Sequence, residues 1–164
     1  MERASGVLMP VPSLPGPYGI GGFGWNAYDF VDFLASCKQH YWQILPLTTT
    51  SYGDSPYQSF SARAGNPNFI DFAELIEAGY LEQRDIDGVY LGSDPSNVDY
   101  GAIFGGRRQI LDRAAERFAA DKPADFDDFI QANEDWLIPY CEFMTVKEEC
   151  GLKAFWEWPE ELRR

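Results

Sequence analysis

Between residues 47 and 67 the chain reads LTTTSYGDSPYQSFSARAGNP, and here Tyr52, Asp54, Ser55 and Tyr57 fall close together. The stretch holds two tyrosines, one aspartate, four serines and two prolines. An aromatic ring offers a flat apolar face, and neighbouring hydroxyls and a carboxylate offer hydrogen bonds. Together they suit a ligand with flat apolar faces and many hydroxyl groups, and a sugar is such a ligand. A loop of this length inside a compact domain is either functional or disordered. Tyr52, Tyr57 and Phe60 argue against a solvated linker. Asp54 could bond to a ligand, but it could equally cap the turn at Gly53.

Other chemistries find less support. The single His40 and the cysteines Cys37, Cys141 and Cys150, none in a CxxC spacing, build no metal site. Three cysteines cannot all pair within one chain, so free thiols in a reducing cytoplasm are expected. Residues 13–24 pack two prolines and five glycines into a shaped loop. The loop lacks both the GxGxxG spacing and the Lys-Ser/Thr of a phosphate cradle, so no nucleotide cofactor is expected. The net charge is −13, from 26 acidic and 13 basic residues. A field of that sign repels nucleic acid and anionic membranes but is indifferent to an uncharged glucan. It equally serves simply to keep the protein soluble. Residues 1–5 are charged with no long apolar run after them, so no signal peptide is expected. No stretch approaches a membrane span.

The elements that must position the loop can be read from periodicity. Residues 6–11, GVLMPV, are apolar without alternation, the mark of a short parallel strand covered on both faces. Residues 25–39 form an amphipathic helix: Ala27, Tyr28, Val31, Leu34 and Ala35 recur at three- and four-residue spacing, Phe30 and Phe33 widen that face, and Asp29 and Asp32 mark the wet side. Residues 41–47, YWQILPL, are a second strand. Strand, helix, strand is a βαβ unit with parallel strands, so the fold class is α/β.

Beyond this unit the pattern turns helical. A short helix over 73–78 stops at Gly79. Residues 85–99 are turn-rich. Residues 102–120 form the longest helix, with Ile103, Ile110, Leu111, Ala114, Ala115 and Phe118 apolar and Arg107, Arg108, Asp112, Arg113, Glu116 and Arg117 charged; Gly105 and Gly106 delay its start. A short helix over 125–131 precedes one over 134–149, capped by Asn133, closed by Gly151 and kinked or split at Pro139. Trp25, Trp42, Trp136, Trp156 and Trp158 lie mostly on helical or strand patterns and are read as core rather than sugar platforms. Two strands cannot close a barrel or form a covered sheet, and residues 155–162 begin something new, so the chain is expected to be the N-terminal piece of a larger α/β enzyme.

Several of these segments resemble one family. Residues 5–21, SGVLMPVPSLPGPYGIG, and 41–47, YWQILPL, resemble the opening of the 4-α-glucanotransferases, also called amylomaltases or disproportionating enzymes (glycoside hydrolase family 77). The most specific segment is 52–62, YGDSPYQSFSA, followed by GNP at 65–67; VDY at 98–100 and WEWPEEL at 156–162 extend the match. Gly22, Arg63, Asn68 and Gly105-Gly106 depart from the family's usual residues, and none of them falls on Ser55 or Tyr57.

The resemblance implies a TIM barrel with inserted subdomains. Residues 1–71 would hold the first two barrel strands and the substrate-facing loop, 72–151 a mainly helical insertion, and 152–164 the start of the next barrel segment. It implies transfer of a 1,4-α-glucan to the 4-hydroxyl of an acceptor sugar, by retaining double displacement and without cofactor or metal. The partners would be maltooligosaccharides or other α-1,4-glucans. Tyr57 resembles the tyrosine that contacts the sugar at the bond being cleaved, against the alternative of a tyrosine packed in the loop's own small core. Ser55 and Asp54 would assist through hydrogen bonds. Tyr52 and Tyr100 match positions of a second glucan groove in some members, but would be equally ordinary as surface aromatics. The family's catalytic carboxylates lie beyond residue 164, so no catalytic residue is assigned here.

Overall fold

The computed structural model describes residues 3–51 and 53–163, in two compact units. The first comprises 1–60 and 65–122, and the second 61–64 and 123–164.

The first unit opens with β1 (Gly6–Leu8), followed by α1 (Trp25–Ser36) and β2 (Tyr41–Gln43). The strands pair in parallel, Gly6 with Tyr41, Val7 with Trp42 and Leu8 with Gln43, as the βαβ reading requires. The helix sits on the sheet through Phe30, whose ring meets Trp42 edge-on at 5.1 Å. The Trp42 indole donates to the Met9 carbonyl at 2.8 Å and prolongs the pairing past β1.

Both strands are three residues long, shorter than the expected 6–11 and 41–47, and neither is covered on both faces. Pro10 has no N–H to give a ladder, and residues Val11–Ser13 wind into a 3₁₀ turn. Leu8, Tyr41, Tyr28, Val31 and Phe33 are exposed. The apolar composition of a doubly covered strand is present, but among the described residues each strand has one neighbour.

The core of this unit lies away from the sheet. Val11, Ile20, Phe69, Phe72, Leu81, Ile86, Leu91, Ile103, Ile110 and Ala114 form one buried cluster. It is built by α2 (Phe72–Glu77), α3 (Gln83–Ile86) and α4 (Tyr100–Ala120) against the loops that follow β1 and β2. Asp71 caps α2, its Oδ1 accepting from the N–H groups of Ala73 and Glu74. Gly79 ends that helix at φ +82°, as expected. The one-turn α3, absent from the sequence reading, closes a capping box in which Asp85 accepts from the Glu82 N–H at 2.8 Å.

Helix α4 begins at Tyr100, earlier than its glycine pair suggested, because Asp99 accepts from the Ala102 N–H at 3.0 Å and caps it. Gly106 has a packing reason: a Cβ there would stand 2.8 Å from both the Tyr90 carbonyl and the Leu91 side chain. The buried stripe of α4 is Ile103, Arg107, Ile110 and Ala114. Arg107 therefore belongs to the core face and not with the solvated charges. Across from α3, Arg113 donates to the Asp85 carbonyl at 2.7 Å, and Arg117 donates to both the Tyr80 carbonyl and the Asp85 carboxylate.

The second unit is centred on a single helix, α5 (Phe126–Glu149), running through both Asn133 and Pro139. Asn133 caps nothing: it sits inside the helix, donating to the Phe129 carbonyl at 2.8 Å and accepting from the Trp136 indole at 3.0 Å. Side-chain bonding within the turn answers the capping tendency of asparagine. Gly151 follows the helix at φ +68°, and buried Lys147 donates to the carbonyls of Leu152 and Lys153. Trp158 is buried against Phe143 and Phe155, with 3₁₀ turns at Phe155–Glu157 and Glu160–Leu162. Trp25 and Trp156, expected in the core, are 73% and 76% exposed. Arg63 belongs to this unit and pairs with Asp135 at 2.9 Å, which accounts for a cation in that loop.

Candidate functional site

The loop that follows β2 is ordered by its own backbone. The Leu47 carbonyl accepts from the Asn66 N–H at 2.9 Å, Thr48 and Gly65 form an antiparallel bridge, and the Ser51 N–H donates to the Gln58 carbonyl at 2.9 Å. The hydroxyls of Thr49 and Ser59 meet at 3.2 Å across the base. At the tip the backbone turns through Gly53 (φ +88°) and Asp54 (φ +55°), and the Asp54 N–H donates to the Ser51 carbonyl at 3.1 Å. The turn at 53–54 is thus held by main chain.

Asp54 lines a cleft of about 210 Å³ between this loop, the loop after β1 and the start of α4. Pro10, Pro12 and Ile20 supply one side, Leu45, Pro46 and Phe69 another, and Asp54, Tyr100, Asn66 and Asn68 the polar groups. Its lining is mainly apolar with few polar groups, the usual balance of a small-molecule site. Its volume is below the roughly 300–1,000 Å³ of complete ligand pockets, which fits one wall of a larger groove. The Tyr100 hydroxyl is pushed above its ordinary pKa, chiefly by burial and secondly by the Asp54 carboxylate. It stays protonated at neutral pH and can donate.

The sequence candidates are placed as follows. Asp54 and Tyr100, given separate roles above, share this cleft. Ser55 falls between the lining residues Asp54 and Pro56, does not itself line the cleft, and accepts from the Tyr57 N–H at 3.4 Å. Tyr57 is 73% exposed, so it is not packed into a core of the loop. Its ring is free to stack. Tyr52 lies outside the described residues. Lining residues that sequence reasoning missed include Pro12, Leu45, Asn66, Asn68 and Phe69; they come from separate segments, and among these five only the Asn-Pro-Asn turn gave a local signal.

A second cavity, lined by Tyr18, Asn26, Asp71 and Arg107 among others, measures about 10 Å³, room for one water and no ligand. Among the described residues no cluster of His, Cys, Asp or Glu is arranged as metal ligands, and no helix is long and apolar enough to cross a membrane.

A parallel βαβ opening with an aromatic and carboxylate cleft at the strand ends places the chain among α/β proteins with small-molecule sites. The comparisons make this specific. Over 97% of the chain the fold matches an amylomaltase from Streptococcus agalactiae in complex with acarbose, with a TM-score of 0.91 and 50% identity. A 4-alpha-glucanotransferase of Streptococcus pneumoniae is 56% identical over 160 residues, and one of Thermus thermophilus 40% over 168. The family model described as 4-alpha-glucanotransferase matches residues 9–164. The chain belongs to the 4-alpha-glucanotransferase family. It spans about a third of the length of these relatives: 32% of the Streptococcus pneumoniae protein, 33% of the Thermus thermophilus protein and 32% of the amylomaltase chain.

Proposed function

We propose that this chain is the portion of a 4-α-glucanotransferase that forms one wall of the glucan site. The observation that carries the reading is the cleft lined by Asp54 and Tyr100, with the ring of Tyr57 exposed three residues along the loop from Asp54, in a chain 56% identical to a named glucanotransferase. Tyr57 stacks on the sugar at the bond being cleaved; Ser55 and Asp54 hydrogen-bond its hydroxyls; Tyr52 and Tyr100 hold a second stretch of glucan. The whole enzyme cuts an α-1,4-glucosidic bond and passes the glucan to the 4-hydroxyl of an acceptor.

Retaining transfer requires a nucleophile and an acid/base about 5–5.5 Å apart. We place both in the two thirds of the relatives' length that this chain does not match. Asp85 is held well below the usual carboxylate range, at about 2, first by the Arg117 hydrogen bond. It is an ion-pair partner and unsuited to donate a proton. In the same reading β1 and β2 are the first strands of a TIM barrel within 1–71, 72–151 is an inserted, mainly helical subdomain, and 152–164 leads into the next barrel segment. The free thiols of Cys37, Cys141 and Cys150 suit a cytoplasmic protein.

Incubation with maltotriose, with products separated by chromatography, tests this. The chain alone is expected to yield none, and the chain extended by the remaining two thirds of the Streptococcus pneumoniae relative to yield glucose together with longer oligosaccharides. Products from the chain alone would overturn the assignment of the catalytic pair. A second reading, a free-standing glucan-binding module, is favoured by the exposure of Tyr57. It requires saturable binding of maltooligosaccharides by the chain alone, abolished in Tyr57→Ala.

A further inference from the structure

Arg107 is 2% exposed, yet among the described residues no carboxylate forms a salt bridge with it. Its guanidinium lies over the Phe72 ring at 4.1 Å, Nη1 donates to the Tyr18 carbonyl at 3.3 Å, and Nη2 donates to the Ile70 carbonyl. Nε has no hydrogen-bond partner among the described residues. Burial lowers the guanidinium pKa to about 10, still charged at neutral pH, with Asp71 opposing the loss.

A buried cation is a poor choice for stability alone, since apolar side chains of similar volume are often neutral or stabilising in its place. What arginine adds is a planar fork that fixes two acceptors at a set spacing. The two acceptors here belong to two different cleft-forming segments. Tyr18 is two residues from Ile20, and Ile70 follows Asn68 and Phe69; all three of those residues line the 210 Å³ cleft. The segments also bond directly, Phe23 N–H to the Phe69 carbonyl at 3.0 Å, and the first is tied to the β1 loop by Gly21 N–H to the Pro12 carbonyl at 3.1 Å. Gly19, at φ +79°, has no room for a Cβ against the Leu91 carbonyl, so the loop is packed backbone to backbone.

We infer that Arg107 is a positioning residue of the glucan site: reaching from α4 behind the cleft, it holds the segments at Tyr18 and Ile70 together and so sets the width of the wall formed by Ile20, Asn68 and Phe69. This rests on the reading that the cleft takes glucan. It also gives the glycine-rich loop a purpose that its sequence did not reveal.

Amide hydrogen exchange by NMR on the 164-residue chain tests the clamp without reference to substrate. In Arg107→Met, exchange at Gly21 and Phe23 is expected to rise at least about 10-fold, with Met9 and the amides of α5 unchanged. Arg107→Lys, which keeps the charge but not the fork, should recover part of the protection, and it decides the matter if the methionine variant does not fold. A uniform rise across the first unit, or no change at these two amides, would overturn the inference. In the chain extended as above, Arg107→Met should raise KM for maltotriose about 5-fold with kcat within 2-fold, at a temperature where both proteins are folded. An unchanged KM in an active enzyme also overturns it. An extended chain inactive before any substitution counts against the glucan reading, and the exchange data then decide the clamp alone.

Discussion

The Tyr57 side chain is 73% exposed, so removing its ring is expected to leave folding almost untouched and, in the proposed reading, to act through substrate. In the extended enzyme Tyr57→Ala is expected to lower kcat/KM for maltotriose by at least about 10-fold, equivalent to about 1.4 kcal/mol of transition-state binding. Urea unfolding of the same variant should stay within about 0.5 kcal/mol of the parent. Asp85 is the opposite case, a carboxylate that serves folding. Its pKa is held at about 2, below the ordinary 3.8, first by the Arg117 hydrogen bond and then by the Glu82 N–H. A carboxylate depressed in the folded state contributes stability that is present in full above its unfolded pKa and is lost as pH falls through the folded value. The urea midpoint should therefore fall between about pH 4 and pH 2 on this account. Asp85→Asn should lower the midpoint at pH 6 and flatten that part of the pH profile.

At the scale of elements, α4 offers two glycines side by side that answer differently to the same change. A Cβ at Gly105 meets nothing within 4 Å, so Gly105→Ala is expected to stabilise by up to about 1 kcal/mol through helix propensity. A Cβ at Gly106 meets the fixed Tyr90 carbonyl, so Gly106→Ala is expected to destabilise by about 1–3 kcal/mol. Thermal unfolding of the two single variants, with shifts of opposite sign, checks both. Asp99→Ala should cost about 1 kcal/mol, the value of an N-cap.

The same helix shows what the sequence could and could not convey. Its periodicity was plain, and the spacing 103, 107, 110, 114 already placed Arg107 on the buried stripe; charge, read residue by residue, hid it. Asn133 and Pro139 are genuine boundary signals, but α5 absorbs them, one by bonding within its own turn and the other by giving up a single backbone bond. Asp54, which lines the cleft, and the exposed Tyr57 could be picked out as candidates because they lie in one short stretch. The cleft's apolar wall could not, because Pro12, Leu45 and Phe69 meet only through tertiary contact.

For the molecule as a whole, the exposed face is the most consequential feature. Tyr28, Val31 and Phe33 on α1 and Leu8 and Tyr41 on the sheet leave apolar surface open, and among the described residues each strand has an unpaired edge. A net charge of −13 keeps copies apart at low ionic strength. Sedimentation velocity should show association growing with added salt as the Debye length falls from about 30 Å at 0.01 M to about 8 Å at 0.15 M. Val31→Lys together with Tyr41→Lys should reduce it. Association that weakens with salt would show that charge pairing, and not the apolar face, joins the copies.

The grip of Arg107 on main-chain carbonyls sets a pattern of mutational tolerance. A carbonyl is offered by every residue type, so the clamp asks nothing of the side chain at position 70, where Ile70 is exposed. A saturation library scored for glucan transfer at limiting maltotriose should show many residues at 70 equal to the parent and every replacement at 107 below it. The specificity of that joint is written at one end only.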